Sequence, residues 1–305
     1  MNNSELININ KENAFIIKKL KDEKQSLIQK FVSESLSKSS QNTNVKTGLT
    51  NVLTSRFISK KFKDGSEYEG EINVDGTRSG LGIMKFANGH IYMGEWTNDL
   101  FNGKGTYFFD NGERYEGVLV SGKKQGNGTY YYSNGNIFIG QWENDEKNGQ
   151  GELRYNNGNK YKGEWKLSQF NGYGVFTYRN GEIYRGNFKD NKRNGNGILT
   201  FSNECFCEGS WSNDLANGIC KMTLSNGDYY EGEFKDGQKS GKGRYRFKNG
   251  AEYIGNWARD DKHGLGVMIY SNNDKYRGEW NIGVRSGKGI YESKSGIVYK
   301  GNWRN

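Results

Sequence analysis

The chain has 305 residues, a hydrophobic fraction of 33%, a mean hydropathy of −0.95 and a formal net charge of +9. So few apolar residues exclude a thick globular core, and the lack of any apolar run of about 18 residues excludes a membrane-spanning helix. Three cysteines are too few for a disulfide framework. The polar N-terminus lacks a secretory signal, so we expect a reducing, cytoplasmic location.

The N-terminal segment, residues 1–37, is predicted to contain a short amphipathic helix, because apolar residues recur there at three- and four-residue steps. This helix could pack on the aromatic face of the repeat array that follows, dock on a helix of another protein, or lie on a membrane. Residues 1–60 hold ten basic and five acidic residues, a balance of +5. Because acidic residues interrupt the basic ones, this pattern favours ordinary solvated charge, and attraction of acidic phospholipid is the alternative. The candidate partner contacts of the helix are Phe15, Leu20, Leu27 and Phe31.

A polar linker and then a long repeat array follow this segment. Residues 38–60 are rich in Ser, Thr and Asn and are predicted to be the linker. Residues 61–305 repeat one motif, which reads Tyr-x-Gly-x-Trp, a polar turn, Gly-x-Gly, a short aromatic segment and Asn-Gly. The step is 23 residues, except for a first step of 24, and such a period indicates stacked structural repeats. The copies begin at Tyr68, Tyr92, Tyr115, Phe138, Tyr161, Tyr184, Cys207, Tyr230, Tyr253, Tyr276 and Tyr299.

Each copy alternates with period two, which predicts two short strands. In the copy that begins at Tyr161, the side chains of Tyr161 and Trp165 share one face with Gly163, while Lys162 and Glu164 lie on the other. Each copy is therefore predicted to be one β-hairpin. The fold is predicted to be all-β: an elongated, twisted, single-layer antiparallel sheet of about twenty strands with a short N-terminal helix.

The register within a hairpin can also be predicted. A turn near the ninth and tenth residues of the copy would place Trp165 opposite Gly174 and Gly163 opposite Phe176. Large side chains would then lie beside glycines, which explains why glycine recurs in strands that it otherwise weakens. The Asn-Gly pair is predicted to form the tight turn that leads into the next hairpin.

The repeated unit resembles the MORN repeat (membrane occupation and recognition nexus), and ten tandem copies make the match specific. The resemblance implies a solenoid-like sheet of β-hairpins but no single activity. Related arrays occur in radial spoke heads of cilia, junctophilins, phosphoinositide kinases, a histone methyltransferase and apicomplexan cytoskeletal scaffolds. Radial spoke head proteins are the best fit, because they too can be mostly array. One copy reads Tyr92-Met-Gly94-Glu-Trp96, Gly103-Lys-Gly105-Thr-Tyr107 and Asn111-Gly112.

Residues that could carry catalysis or bind a metal are sparse. His90 and His263 are the two histidines, and neither has a catalytic partner in the sequence pattern. The three cysteines lack the spacing of zinc ligands. Glutamates at the fourth repeat position lie one repeat apart, too far for a catalytic carboxylate pair. We therefore expect no enzyme activity, no cofactor and no metal, and the near-balanced charge of the array argues against nucleic acid.

The sequence favours a non-enzymatic scaffold that binds other proteins in a cilium, an axoneme or a related cytoskeletal assembly. A membrane-associated adaptor for acidic phospholipid, or a targeting subunit of a lipid kinase, is the alternative. Helices or extended segments of other subunits are the expected partners, and self-association into a homodimer stays open. In the array, the candidate partner-binding residues are Tyr92, Trp96, Tyr161, Trp165, Tyr253, Trp257, Tyr276 and Trp280.

Overall fold

A computed structural model describes residue 22, residues 25–34, residue 37 and residues 55–304 of the chain. These residues divide between two compact units, Met1–Glu146 and Lys147–Asn305, which are described separately. Residues 25–34 form one short helix, α1, within the segment predicted to be helical. The predictions for Phe15 and Leu20, and most of the predicted linker, lie outside the described residues.

The described residues otherwise form strands joined by short turns, as the period-two pattern predicts. The strands of the first unit are β1 Ser55–Lys61, β2 Glu67–Asn73, β3 Arg78–Lys85, β4 Ile91–Thr97, β5 Leu100–Phe108, β6 Arg114–Val120, β7 Lys123–Tyr131 and β8 Ile137–Glu143. The strands that follow are β9 Glu146–Arg154, β10 Lys160–Lys166, β11 Gln169–Thr177, β12 Ile183–Lys189, β13 Lys192–Thr200, β14 Phe206–Ser212, β15 Leu215–Thr223, β16 Tyr229–Lys235, β17 Gln238–Arg246, β18 Glu252–Ala258, β19 Asp261–Ile269, β20 Lys275–Asn281, β21 Val284–Glu292 and β22 Val298–Trp303.

Sequential antiparallel pairing within each unit confirms the predicted all-β fold class. In the first unit β1 pairs with β2, β2 with β3, and so on to β8. The second unit continues in the same way, from the β9–β10 pair to the β21–β22 pair. β1 begins at Ser55, so the last residues of the predicted linker, residues 55–60, belong to a strand. They extend the first hairpin by a third strand.

The predicted register within the hairpin is wrong. Trp165 lies opposite Phe170 rather than Gly174, and Gly174 lies opposite Gly163. The turn is two residues long and falls at the seventh and eighth repeat positions, where Leu167 has a φ of 48° and its successor is also left-handed. Two positive φ values are those of the mirror-image turn that suits the twist of a hairpin.

A bulge accounts for the difference. Between Gly163 and Trp165 only Glu164 intervenes on β10, whereas residues 171–173 intervene on β11. Gly172 lies in the bulged segment with a φ of 86°, a conformation that favours glycine. Two strands of equal spacing would give the predicted pairing, and the two additional residues of the bulge displace it.

The Asn-Gly turn also differs from the prediction of a tight two-residue turn. In the turn after β9, Gly158 alone has a positive φ, 89°, and the Asn157 side chain accepts a hydrogen bond of 3.0 Å from the Asn159 amide. The Tyr155 amide donates to the Asn159 carbonyl and closes a five-residue loop. Asparagine therefore braces this loop by its side chain, and glycine supplies the left-handed residue.

Candidate partner-binding surface

The first face of each sheet, which carries repeat positions 1, 3, 5, 14 and 16, is a closed layer of rings. Each first-position tyrosine before Tyr299 lies along its own strand and over two glycines, and Tyr299 lies over Gly301 alone. A Cβ added at Gly174 would come within 2.6 Å of the Tyr161 hydroxyl, and one added at Gly163 within 2.7 Å. Tyr161 also stacks on Phe170, with a centroid distance of 3.7 Å. The paired glycines are therefore the space into which the ring fits.

Polar side-chain atoms of the repeat form hydrogen bonds with backbone groups in and beside the bulge. The Tyr161 hydroxyl donates to the carbonyl of Glu164 at 2.8 Å, and the Tyr173 amide donates to the Glu164 carboxylate at 3.0 Å. The indole nitrogen of Trp165 donates to the Gly151 carbonyl of the preceding hairpin at 3.1 Å. Glutamate at the fourth position thus has a structural role, because buried backbone groups need a partner.

A second pairing links neighbouring hairpins. Every tryptophan of the chain has a cation over its ring, and that cation lies 18 residues earlier, as with Arg193 at 4.5 Å from the Trp211 centroid and Lys262 at 4.4 Å from Trp280. In three of the four copies whose fifth position holds another residue, the earlier position is apolar. These pairs are Phe101 with Leu119, Phe170 with Phe188 and Ala216 with Phe234.

Polar pairs along the Asn-Gly turns follow the same logic. Tyrosines at position 16 donate to an acidic side chain or contact a histidine in the preceding turn: Tyr130 to Glu113 at 2.7 Å, and Tyr107 with His90 at 2.9 Å. The Tyr245 hydroxyl donates to Asp228 at 2.6 Å. Burial of Asp228 opposes its ionisation, yet hydrogen bonds, first from Tyr245, hold the pKa of this carboxyl below its usual range. His90 is thus engaged in a structural contact.

One hairpin replaces the tyrosine–glycine contact by two buried thiols. Cys207 stands in the tyrosine position and Cys220 in that of the second glycine. The Cys220 sulfur donates to the Ser210 carbonyl at 3.5 Å, which is the carbonyl that a tyrosine would reach. The hydrogen bond to Cys220 and burial raise the pKa of the Cys207 thiol, so this thiol stays protonated and unreactive.

The structure places the eight predicted array contacts inside this layer of rings. Their exposed fractions lie between 0% and 7%. Partner binding through these eight side chains stays a prediction, and their burial weighs against direct contact with another protein. They are Tyr92, Trp96, Tyr161, Trp165, Tyr253, Trp257, Tyr276 and Trp280.

The second face, which carries repeat positions 2, 13, 15 and 17, already holds one helix in the first unit. Ile28 of α1 is buried against Ile83, Met93 and Phe108. Its neighbours Leu27, Phe31 and Val32 are partly buried against the same cluster, together with Ile91. Of the residues predicted as helix contacts, Leu27 and Phe31 therefore pack on the chain's own sheet. Of the options that the sequence left open, α1 packs on the sheet, and on its second face rather than its aromatic one.

The second face of the second unit exposes aliphatic side chains among basic ones. Leu265 and Ile254 are 66% and 44% exposed, and Ile254 lies directly opposite the half-buried Val267. Arg277 lies opposite Val267 on the other side. No sequence prediction named these residues, because the predicted contacts were the aromatic positions that the copies share. The signal was the substitution of aliphatic residues at outward positions that elsewhere hold polar ones.

Two further features of the described residues bear on chemistry. In that part of the chain, no group of three or more His, Cys, Asp and Glu side chains is placed to hold a metal ion. Among the same residues, no helix is long and apolar enough to cross a membrane.

Tandem β-hairpins with a ring layer over paired glycines define a repeat protein whose surfaces are its sheet faces and edges. Ten consecutive segments, which together span residues 68–298, match the MORN repeat. The chain belongs to the MORN repeat family, whose repeats are typical of scaffolds that bind proteins or membranes. No curated protein matches the chain.

Similar solved structures include two TCP domains and an enzyme. A mutant of the TCP10 domain of Danio rerio CPAP is 11% identical and covers 81% of this chain and 99% of its own, with a TM-score of 0.33. The SAS-4 (dCPAP) TCP domain of Drosophila melanogaster, in complex with a proline-rich motif of Ana2, is 14% identical, covers 58% and 84%, and has a TM-score of 0.31. Virginiamycin B lyase from Staphylococcus aureus is 12% identical, covers 85% and 88%, and has a TM-score of 0.14.

Proposed function

We propose that the chain is a non-enzymatic scaffold that holds helices or extended segments of other proteins within a larger assembly. One observation carries this proposal: the second face of the first unit holds α1 through aliphatic side chains that the hairpin itself does not need. Ile83 and Met93 point away from the ring layer and are buried by Ile28. Because the ring layer on the first face already stabilises the sheet, residues on the second face can vary between hairpins and can select a partner.

The assembly that we propose is a cilium, in an axonemal structure of the radial spoke type. The support is the sequence resemblance to arrays that make up most of their protein. Expression of the tagged full chain in ciliated cells tests this proposal. We expect the chain to remain with detergent-extracted axonemes through a moderate-salt wash, because apolar contacts are less sensitive to salt than exposed charges. A chain that is wholly soluble and monomeric after extraction contradicts it.

The second candidate is an adaptor for acidic phospholipid. The basic N-terminal segment, with ten basic and five acidic residues in residues 1–60, favours it. Flotation of the purified full chain with vesicles of phosphatidylcholine and phosphatidylserine tests it, with a chain that lacks residues 1–40 as the control. Binding that is lost with this deletion supports the adaptor, and no flotation of either protein removes it.

A targeting subunit for a separate lipid kinase is the third candidate, and it rests on the resemblance to arrays in phosphoinositide kinases. It predicts a lipid kinase activity in material that purifies with the full chain from cells. Purified material without that activity contradicts this candidate and leaves the scaffold unaffected.

A further inference from the structure

The strand that carries α1 has a close counterpart in the second unit. β3 reads Leu81-Gly-Ile83-Met-Lys85, and β19 reads Leu265-Gly-Val267-Met-Ile269. In both strands the leucine and the β-branched residue occupy positions 13 and 15, which face away from the ring layer. Other hairpins place Lys, Asn, Gln, Tyr or Ile at position 13. The counterpart therefore repeats the aliphatic pattern on which α1 packs.

These two strands differ in what covers them. Ile83 is 3% exposed because α1 lies over it, and Phe31 and Val32 border a small cavity that also includes Leu81. No described residue covers β19 on this face, and Leu265 is 66% exposed. An aliphatic row that is covered in one place and open in another points to a missing occupant, because exposed aliphatic clusters mark interaction sites.

The open cluster is wider than one strand. We use the name β19 patch for Ile254, Leu265, Val267, Ile269 and Ile290. Ile254 lies opposite Val267 on β18, and Ile290 on β21 lies two strands from β19, beyond Arg277 on β20. Three strands, β18, β19 and β21, thus contribute apolar residues across a span of four strands, a width of about 15 Å at the usual strand spacing. A helix about 10 Å in diameter fits across that width.

The charges around the β19 patch are predominantly basic. Arg277 lies opposite Val267 and Lys275 opposite Ile269, and neither has a side-chain hydrogen bond or ion pair to any residue in the described part of the chain. Three carboxylates lie on the same face: Glu252, Glu279 and, opposite Lys275, Glu292. Glu252 binds Arg244 at 2.5 Å and Arg246 at 3.1 Å, and Glu279 accepts the Lys288 amide at 3.1 Å. Six basic residues, Arg244, Arg246, Lys275, Arg277, Lys288 and Lys300, outnumber these three carboxylates on this face. The net charge that a ligand would meet is therefore positive.

We propose that the β19 patch binds an acidic amphipathic helix of another protein, with the apolar side of the helix on Leu265 and Val267 and its carboxylates facing Arg277 and Lys275. This inference rests on the proposed scaffold function and names the partner class for one surface. Helix α1 of a second copy fits less well, because its residues 25–34 carry one base, Lys30, and one acid, Glu34. A complementary charge pattern selects the partner and sets the orientation in which it docks.

A labelled synthetic peptide of about 18 residues tests the proposal, a length that allows a helix of five turns. The peptide has leucine at helical steps of three and four, glutamate beside the leucine stripe and alanine elsewhere. Fluorescence anisotropy measures its binding to the full chain. Three further probes serve as comparisons: the same peptide with lysine for each glutamate, a scrambled version, and a peptide of residues 22–37 of this chain.

Four surface variants of the full chain separate the β19 patch from the rest of the second face. Leu265→Ser and Arg277→Glu change the patch. Ile219→Ser and Arg185→Glu are the matched controls, because they occupy the same repeat positions, 13 and 2, on other hairpins, and Ile219 is 62% exposed. All four side chains are exposed, so the urea midpoints of the variants should equal that of the parent chain.

We expect the acidic peptide to bind, and each patch variant to weaken its binding by roughly tenfold, while the control variants leave it unchanged. Equal binding of the acidic and basic peptides overturns the proposal, and so does a loss in the controls that matches the loss in the patch variants. Tighter binding of the 22–37 peptide than of the acidic one also overturns it and assigns the patch to a second copy. If no peptide binds while the chain remains on extracted axonemes, this surface is wrong and the scaffold stands.

Discussion

At the scale of single residues, the repeat is a set of paired requirements rather than a list of preferred amino acids. A tyrosine needs two glycines under its ring, a bulged carbonyl needs the tyrosine hydroxyl, and a tryptophan accompanies a cation on the preceding hairpin. In two pairs a change in one member is matched by a change in its partner, whereas the copy that begins at Phe138 lacks the hydroxyl and keeps both glycines. Cys207 with Cys220, and Ala216 with Phe234, show this dependence within one chain.

The two thiols provide a direct test of these requirements. Cys207→Tyr alone should destabilise the chain by about 1–3 kcal/mol, because the new ring meets the Cys220 side chain where other hairpins have glycine. Cys220→Gly in the same chain should recover most of that loss, since it restores the standard pair. Urea denaturation of the parent, both single variants and the double variant measures the coupling. If the stability changes of the two single variants add up to that of the double variant, the proposed steric dependence is wrong.

Burial of the first-position tyrosines predicts a limit to stability at high pH. Burial raises the pKa of Tyr253 to about 12, and it raises the pKa values of Tyr92 and Tyr161 as well. The unfolded value is about 10. A pKa raised by folding gives stability that is complete below the unfolded value and is lost as the pH rises through the folded one.

We therefore expect phenolate absorbance from these rings to appear together with the loss of β-sheet circular dichroism, above about pH 10. The same chain in urea is the control and should titrate near the unfolded value. Complete ionisation near pH 10 with an intact sheet contradicts the burial of the rings.

At the scale of structural elements, the hairpin period and the strand pattern were predictable because side chains alternate across a sheet and the copies repeat the alternation. The register was not, because it depends on the bulge, and the bulge depends on which polar groups can satisfy the unpaired backbone. Tyr161 and Glu164 supply those groups. The bulge becomes predictable from the sequence when a hydrogen-bond partner is assigned to each of these polar side-chain atoms.

Neighbouring hairpins should be coupled through the cation–tryptophan pairs. Lys239→Ala and Trp257→Phe each remove one side of a contact in which the ammonium lies 5.2 Å from the ring centroid. The double variant reproduces the natural Ala216–Phe234 combination, so its loss of stability should be smaller than the sum of the single losses by about 0.5–1 kcal/mol. Urea midpoints measure this difference. The control combines each of the two substitutions with Ile282→Ser, a change outside this contact, and there the losses of stability should add. If the double variant loses as much free energy of unfolding as the two single variants together, the proposed coupling is wrong.

Helix α1 should leave the sheet when its central contact is lost. Ile28→Asp places a carboxylate among Ile83, Met93 and Phe108, which costs too much desolvation for the helix to stay docked. Hydrogen exchange of the amides in residues 25–34 should then become as fast as in an unfolded peptide. Gln29→Ala, on an exposed neighbour, is the control. Protected amides in Ile28→Asp would show that α1 is held by other contacts.

At the scale of the whole molecule, family membership was predictable from the period, whereas the surfaces that distinguish this chain were not. The aromatic residues proposed as contacts are the ones that every copy shares, and shared residues are those that build the sheet. Residues that distinguish one hairpin from the next, such as Met93 under α1 and Leu265 on β19, are where partner selection can reside. The sequence signal for them was the match between β3 and β19.

Quantitative affinity purification tests the central claim, that this chain is a scaffold whose variable second face selects its partners, most directly. The tagged full chain, the double variant Leu265→Ser/Arg277→Glu and the matched control Ile219→Ser/Arg185→Glu are purified in parallel from detergent-treated ciliated cells. We expect proteins that are retained by the parent chain and the control and lost from the patch variant, with amphipathic acidic helices among them. Identical protein sets from all three chains, or no retained protein, would contradict the account.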